Sequence, residues 1–170
     1  MRQNLLPKSF FNRPTLQVAE ELLGKFLVRE INGHKIEGMI TEVEAYLGFD
    51  DKASHAARGR TPRAEVMFGS AGVWYIYLIY GMYCCLNIVT EREGFPAAIL
   101  IRSAGGVKGP GKICKYFHID RALNKKFATT DSKLWIEDCG VQPQHIKKGK
   151  RIGVDYAGKC KDKLWRFEIP

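Results

Sequence analysis

Asn32-Gly33 sits between two runs of strand character, residues 26–30 and 35–45, and nothing else in the chain limits its folding so sharply. A two-residue hairpin turn needs two backbone positions with positive φ, and Asn-Gly adopts them at the least steric cost. An antiparallel pair is therefore expected, with a second strand long enough to run past its partner. On that strand a period of two places Ile40, Glu42 and Glu44 on one side and Met39, Thr41 and Val43 on the other. The stretch from 40 to 55 continues through Tyr46 into a loop ending at His55, gathering carboxylate, aromatic and imidazole chemistry in one segment.

Other elements follow from similar signals. Pro14-Thr15 ahead of Leu16, Ala19, Leu22 and Leu23 predicts an amphipathic helix with Thr15 as N-cap and Gly24 placed to stop it. Residues 48–72 make a long connection, with a short helix expected after Thr61-Pro62, and loops of that length in compact domains are more often functional than idle. Residues 73–80 and 83–90 read as paired strands reversed at Gly81-Met82, which puts Tyr80 near the tip. A strand at 97–102, a glycine-rich turn at 105–111, a helix over 112–117 and closing strands at 151–154 and 164–169 complete the pattern. Strands dominate and mostly join as hairpins, so the expectation is one α+β domain over residues 1–170. With 170 residues and 45% hydrophobic composition the chain can bury a core of its own.

The formal charge of +9 is unevenly spread: residues 1–100 carry 11 basic and 11 acidic side chains, residues 101–170 carry 16 and 7. Such a surplus reads either as a docking face for a polyanion or as solubility charge. Five cysteines without C-x-x-C or Cys/His metal spacing point to a reduced protein with no structural zinc. Leu5-Leu6 is followed at once by Pro7 and Lys8, so no signal-peptide core is expected, and no run approaches membrane-spanning length. The expected location is the cytoplasm, at the nucleoid, or the nucleus if the source has one.

Singly, Glu44, His55 and the tyrosines at 75, 77, 80 and 83 read as ordinary strand and surface residues. Together they match what cutting an N-glycosidic bond in a duplex requires. The nucleotide has to be rotated out, its gap filled, and its base held against π surfaces. A tyrosine at a hairpin tip suits the gap, and one carboxylate suffices to deprotonate the attacking water while its charge stabilises an oxocarbenium-like sugar. No metal is needed. A rival signal lies at Gly106-Val-Lys-Gly-Pro-Gly-Lys112, which fits G-x-x-x-x-G-K, yet Ile113 stands where a magnesium-binding Ser or Thr belongs. A glycine-rich turn supporting a helix is the other reading of that run.

Several segments in order resemble the 3-methyladenine (alkyladenine) DNA glycosylases that are not of the helix-hairpin-helix type. They are Thr41-Glu-Val-Glu-Ala-Tyr-Leu-Gly48 with His55, Thr61-Pro-Arg63 with Met67-Phe68, Tyr75-Ile-Tyr-Leu-Ile-Tyr-Gly-Met82 with Asn87, Ile99-Leu-Ile-Arg102, Gly109-Pro-Gly-Lys112, and Arg151-Ile-Gly-Val154 with Trp165-Arg-Phe167. The resemblance implies a curved, mostly antiparallel sheet with flanking helices and a hairpin inserted into the DNA minor groove. It implies Glu44 as the general base and Tyr46, His55, Tyr77 and Asn87 as the base pocket. Tyr80 would intercalate, with Arg102, Thr61 and Met67 along the DNA backbone. The implied protein is a monomeric, monofunctional glycosylase that acts on double-stranded DNA containing alkylated bases and needs no metal, cofactor or membrane. The chain departs from the family pattern at Ala64, at Leu164 and at Cys84-Cys85.

Overall fold

Lys8–Phe11 and Thr15–Leu22 are helices α1 and α2, and Phe26–Ile31 and His34–Leu47 are strands β1 and β2, in a computed structural model that describes residues 4–170. Asn32 and Gly33 link the strands with φ of 50° and 79°, the two positive values their sequence predicts. β3 (Trp74–Ile79) and β4 (Tyr83–Val89) form the second hairpin, followed by β5 (Ala97–Ala104), β6 (Val107–Lys108) and α3 (Pro110–Tyr116). β7 (Leu134–Glu137), β8 (Lys147–Gly149) and β9 (Arg166–Glu168) complete the chain. The main sheet runs β3-β4-β5-β2-β1-β7, with β6 on β5 and β9 joining β2 to β8. Every paired register among the described residues is antiparallel, so the α+β expectation holds.

Alternation along the strands gives the sheet two unlike faces. Val43 and Ala45, Trp74 and Ile76, Leu86 and Ile88, and Ile99 and Ile101 bury in one core with α2 and α3. Their neighbours in sequence point the other way, so Tyr46, Tyr75, Tyr77, Val89 and Ala98 pack beneath residues 56–73 of the long connection. A period of two within each strand, together with the strand registers, puts carboxylate, tyrosines and amide on the same side. The registers set Glu44 opposite Leu100, Leu100 opposite Asn87, and Asn87 opposite Tyr75, a single row across four strands.

Several local expectations are corrected. Thr15 is the first helical residue and Pro14 the N-cap; the donors at this end go instead to Glu91, whose Oε1 accepts from Thr15 N–H at 2.8 Å and Thr15 Oγ1 at 2.9 Å. Ile40 does not share a face with Glu42 and Glu44, because the β2–β5 register shifts twice between Ile40 and Val43, first with an extra residue on β2 and then with one on β5, and the parity flips there. Ile40 therefore joins the core with Val43. The helix after Thr61-Pro62 is a 3-10 turn over Ala64–Phe68. The second hairpin reverses at Tyr80-Gly81, both with positive φ, and Met82 N–H closes the turn on Ile79 C=O at 3.2 Å.

The glycine-rich run is not a phosphate cradle between strand and helix. It turns back at Gly105-Gly106 and pairs β6 with β5 before α3 begins at Pro110, two residues ahead of the expected start. Gly38 and Gly105 let β2 and this turn touch: a Cβ on Gly38 would stand 2.6 Å from Gly105 Cα. The strand expected at 151–154 is absent; pairing occurs at β8 instead, and β9 is shorter than the 164–169 run. Arg151 turns its guanidinium inward and Ile152 gives its N–H to a side chain, so this stretch cannot form a ladder. Among the described residues no helix is long and apolar enough to cross a membrane.

Candidate active site

A cavity of about 480 Å³ opens on the polar face of the sheet, walled by β3, the β3–β4 turn, the 53–67 connection and residues 152–156. Its aromatic wall is His55, Tyr75 and Tyr77: the His55 and Tyr77 rings meet edge-on at 4.5 Å, and Tyr75 and Tyr77 lie 5.2 Å apart. His55 Nδ1 and the Tyr75 hydroxyl share a hydrogen bond at 2.7 Å, which fixes the imidazole. Burial, and then the charge of Arg63, lower the His55 pKa, so the ring is neutral at physiological pH. Tyr46 lines the same cavity from β2.

Glu44 lies beneath this cavity, wholly buried. The Tyr46 hydroxyl donates to its Oε2 at 2.6 Å and Ile152 N–H donates to its Oε1 at 2.7 Å. Arg102 Nη1 stands 3.6 Å from Oε1. Burial raises the Glu44 pKa above the ordinary carboxylate value, and Arg102, Tyr46 and the Ile152 N–H pull against that rise. A carboxylate offers about four acceptor positions, so these partners orient Glu44 and leave capacity for a water. Arg102 is held from behind by Glu42, whose Oε1 accepts from Arg102 Nε at 3.2 Å and whose Oε2 accepts from Ser103 Oγ at 3.0 Å. Glu42 thus sets the position of the arginine that faces Glu44.

Sequence reasoning did not single out the frame around this carboxylate. Asp51 and Arg151, both side chains wholly buried, pair through two bonds of 2.6 and 2.8 Å. Arg151 also donates to Ala45 C=O at 2.9 Å and lies 4.8 Å from the Tyr46 ring and 5.0 Å from Trp165. Burial opposes its charge, but the Asp51 contacts outweigh it and raise the arginine pKa. This pair anchors residue 151 to the 51–53 loop and so delivers the adjacent Ile152 N–H to Glu44. The motif Arg151-Ile-Gly-Val154 was the only trace of it in the sequence.

The remaining expected residues are placed as follows. Asn87 lines the cavity with its amide nitrogen donating to the Tyr75 and Cys85 carbonyls at 3.1 and 3.4 Å, so its oxygen is the end left for a ligand. Tyr80 stands at the rim, 90% exposed. Met67 is buried in the cavity wall, and Thr61 lies in a neighbouring concavity instead. Cys85, cross-strand partner of Tyr77, backs that ring, and burial pushes its thiol pKa up to about 11, which leaves it inert. Among the described residues no three His, Cys, Asp or Glu side chains converge as a metal site.

An antiparallel sheet carrying a carboxylate beneath an aromatic cavity is the arrangement expected of a base-excision enzyme. Comparison with known proteins agrees: the model of the methylpurine-DNA glycosylase family matches residues 9–108 and 104–170. Proteins provisionally named 3-methyladenine DNA glycosylase are similar along nearly the whole chain. That of Methanocella arvoryzae is 45% identical, covering 96% of this chain and 91% of its own length. That of Wolbachia pipientis from Culex pipiens is 47% identical over 99% and 91%, and that of Ehrlichia ruminantium 49% over 98% and 90%. The chain belongs to the methylpurine-DNA glycosylase family.

Proposed function

We propose that the protein excises methylated purines, 3-methyladenine among them, from duplex DNA. The family assignment supports DNA glycosylase activity and a DNA substrate. The observation that carries the finer reading is Glu44, buried below an aromatic cavity yet held by an N–H and a hydroxyl in the orientation of a base. The damaged nucleotide rotates into the cavity, where its base packs against Tyr77, His55 and Tyr46, and the β3–β4 hairpin enters the minor groove so that Tyr80 fills the vacated gap. A purine alkylated on a ring nitrogen is cationic, and tyrosine faces attract it more than a neutral base. The Asn87 oxygen accepts from the base edge and selects against bases that do not match it.

In the chemical step Glu44 takes a proton from water, the hydroxide oxygen bonds to the sugar carbon, and the glycosidic electron pair leaves with the base. The cationic base departs neutral and an abasic site remains. No lysine lines the cavity among the described residues, which supports water rather than an amine as nucleophile and a monofunctional enzyme without lyase activity.

Methylated duplex DNA incubated with the protein without magnesium should yield free alkylbase and alkali-labile sites. Glu44→Gln should lower release by about 100-fold or more, in line with loss of a general base, while still binding DNA. Release at the wild-type rate in that variant would remove Glu44 from the role.

A further inference from the structure

A second concavity, of about 340 Å³, adjoins the aromatic cavity and shares His55, Arg63 and Tyr156 with it as a common wall. Lys52, Arg58 and Thr61, with Ser54 and Ala57, line the rest of it. Lys52, Arg58 and Arg63 are exposed, and none forms an ion pair among the described residues. Three arginines near Glu42 and Glu44 differ: Arg102, Arg151 and Arg166 are each paired with a carboxylate. Arg63 donates to Leu78 C=O at 3.4 Å and lies 5.7 Å from the Tyr77 ring, but none of the three cations around the hollow meets a carboxylate; they repel one another, and an anion seated between them removes that cost.

Two further features fit an anion on a sugar backbone. Thr61 Oγ1 accepts from Ala64 N–H at 3.2 Å, which leaves its own O–H as a donor into the hollow. Tyr156 is 70% exposed but not free, since its hydroxyl donates to Ala53 C=O at 3.2 Å and fixes the ring on the wall between the two hollows. An aromatic face held beside a cluster of cations suits a sugar next to a phosphate.

We propose that this concavity is a phosphodiester subsite, in which Lys52, Arg58 and Arg63 hold the backbone phosphate of a nucleotide beside the one whose base enters the aromatic cavity, with Tyr156 against the intervening sugar. The assignment rests on the reading of the aromatic cavity as the base site. It places phosphate recognition in residues 52–63, within the half of the chain whose charges balance.

The test uses duplex DNA bearing a tetrahydrofuran abasic analogue, which has neither a base to enter the cavity nor a glycosidic bond to cut. Lys52→Ala and Arg58→Ala, both at exposed positions, should melt like the wild type. Each should flatten the dependence of log affinity on log salt by about one unit. Single phosphates near the analogue are then replaced by neutral methylphosphonates. At one position the loss seen with wild type should vanish in Arg58→Ala, because the two changes remove the same contact. Unchanged salt slopes, or losses that add at every phosphate, would overturn the subsite. If the wild type bound this probe as described yet released no base from methylated DNA, the proposed reaction would fall and the phosphate contact would stand.

Discussion

As the proposed general base, Glu44 has to be ionised to accept a proton, and burial works against that ionisation. The excision rate should therefore fall on acidification with a midpoint above the ordinary carboxylate value, read from single-turnover rates across pH. The same shift has a stability consequence. Between the unfolded and folded pKa values the native state binds more protons, so the Glu44 contribution is full below the unfolded value and is lost as pH rises through the folded one. Glu44→Gln escapes this loss, since its amide accepts from Ile152 N–H and donates to Tyr46. The variant should melt above wild type at about pH 7, and the difference should close at about pH 4. A lower melting temperature for the variant at neutral pH would refute the sign. Arg151→Ala, by contrast, strands the buried Asp51 carboxylate and should cost about 3–5 kcal/mol. For a chain of this size each kcal/mol lowers Tm by roughly 2–4 °C, so thermal melting reads the effect directly.

The β3–β4 hairpin separates function from stability at the scale of an element. β3 contributes Trp74 and Ile76 to the core, while its tip carries Tyr80 into solvent on a turn with two positive φ values. Tyr80→Ala removes little that the fold uses, so its Tm should stay close to that of wild type. Binding to lesion-bearing duplex should weaken, and a fluorescent base analogue beside the lesion should report less unstacking. Unchanged fluorescence would remove Tyr80 from the gap-filling role. The hairpin and its tip were legible in the sequence because apolar alternation and turn chemistry act over a few residues. The bulge in β2 was not, since it arises where β2 exchanges its partner β1 for β5 and β9, and that exchange is set by strands far along the chain.

Across the whole molecule, part of the basic surplus of the C-terminal half is taken up by ion pairs. Lys133, Lys147, Lys148 and Lys150, all from the basic half, each meet a carboxylate, on Glu30, Glu168, Glu20 and Asp162. Replacing Lys147 and Lys148 by Gln should shift DNA affinity only by the weak, salt-screened effect of distant surface charge, seen in binding titrations at two salt concentrations. A loss as steep as that of Arg58→Ala would return the docking face to the C-terminal half. The sequence by itself determined the hairpins, the α+β class and the shared side of Glu42 and Glu44 on their strand, because a period of two fixes which side chains of one strand share a sheet face, whereas the pairing that brings Tyr75, Tyr77 and Asn87 to that side is tertiary. Only the tertiary structure decided how deeply Glu44 is buried, which N–H orients it, and which cations remain free. Those depend on contacts such as Ile152 to Glu44 and Arg151 to Asp51, 108 and 100 residues apart, which local propensity cannot register.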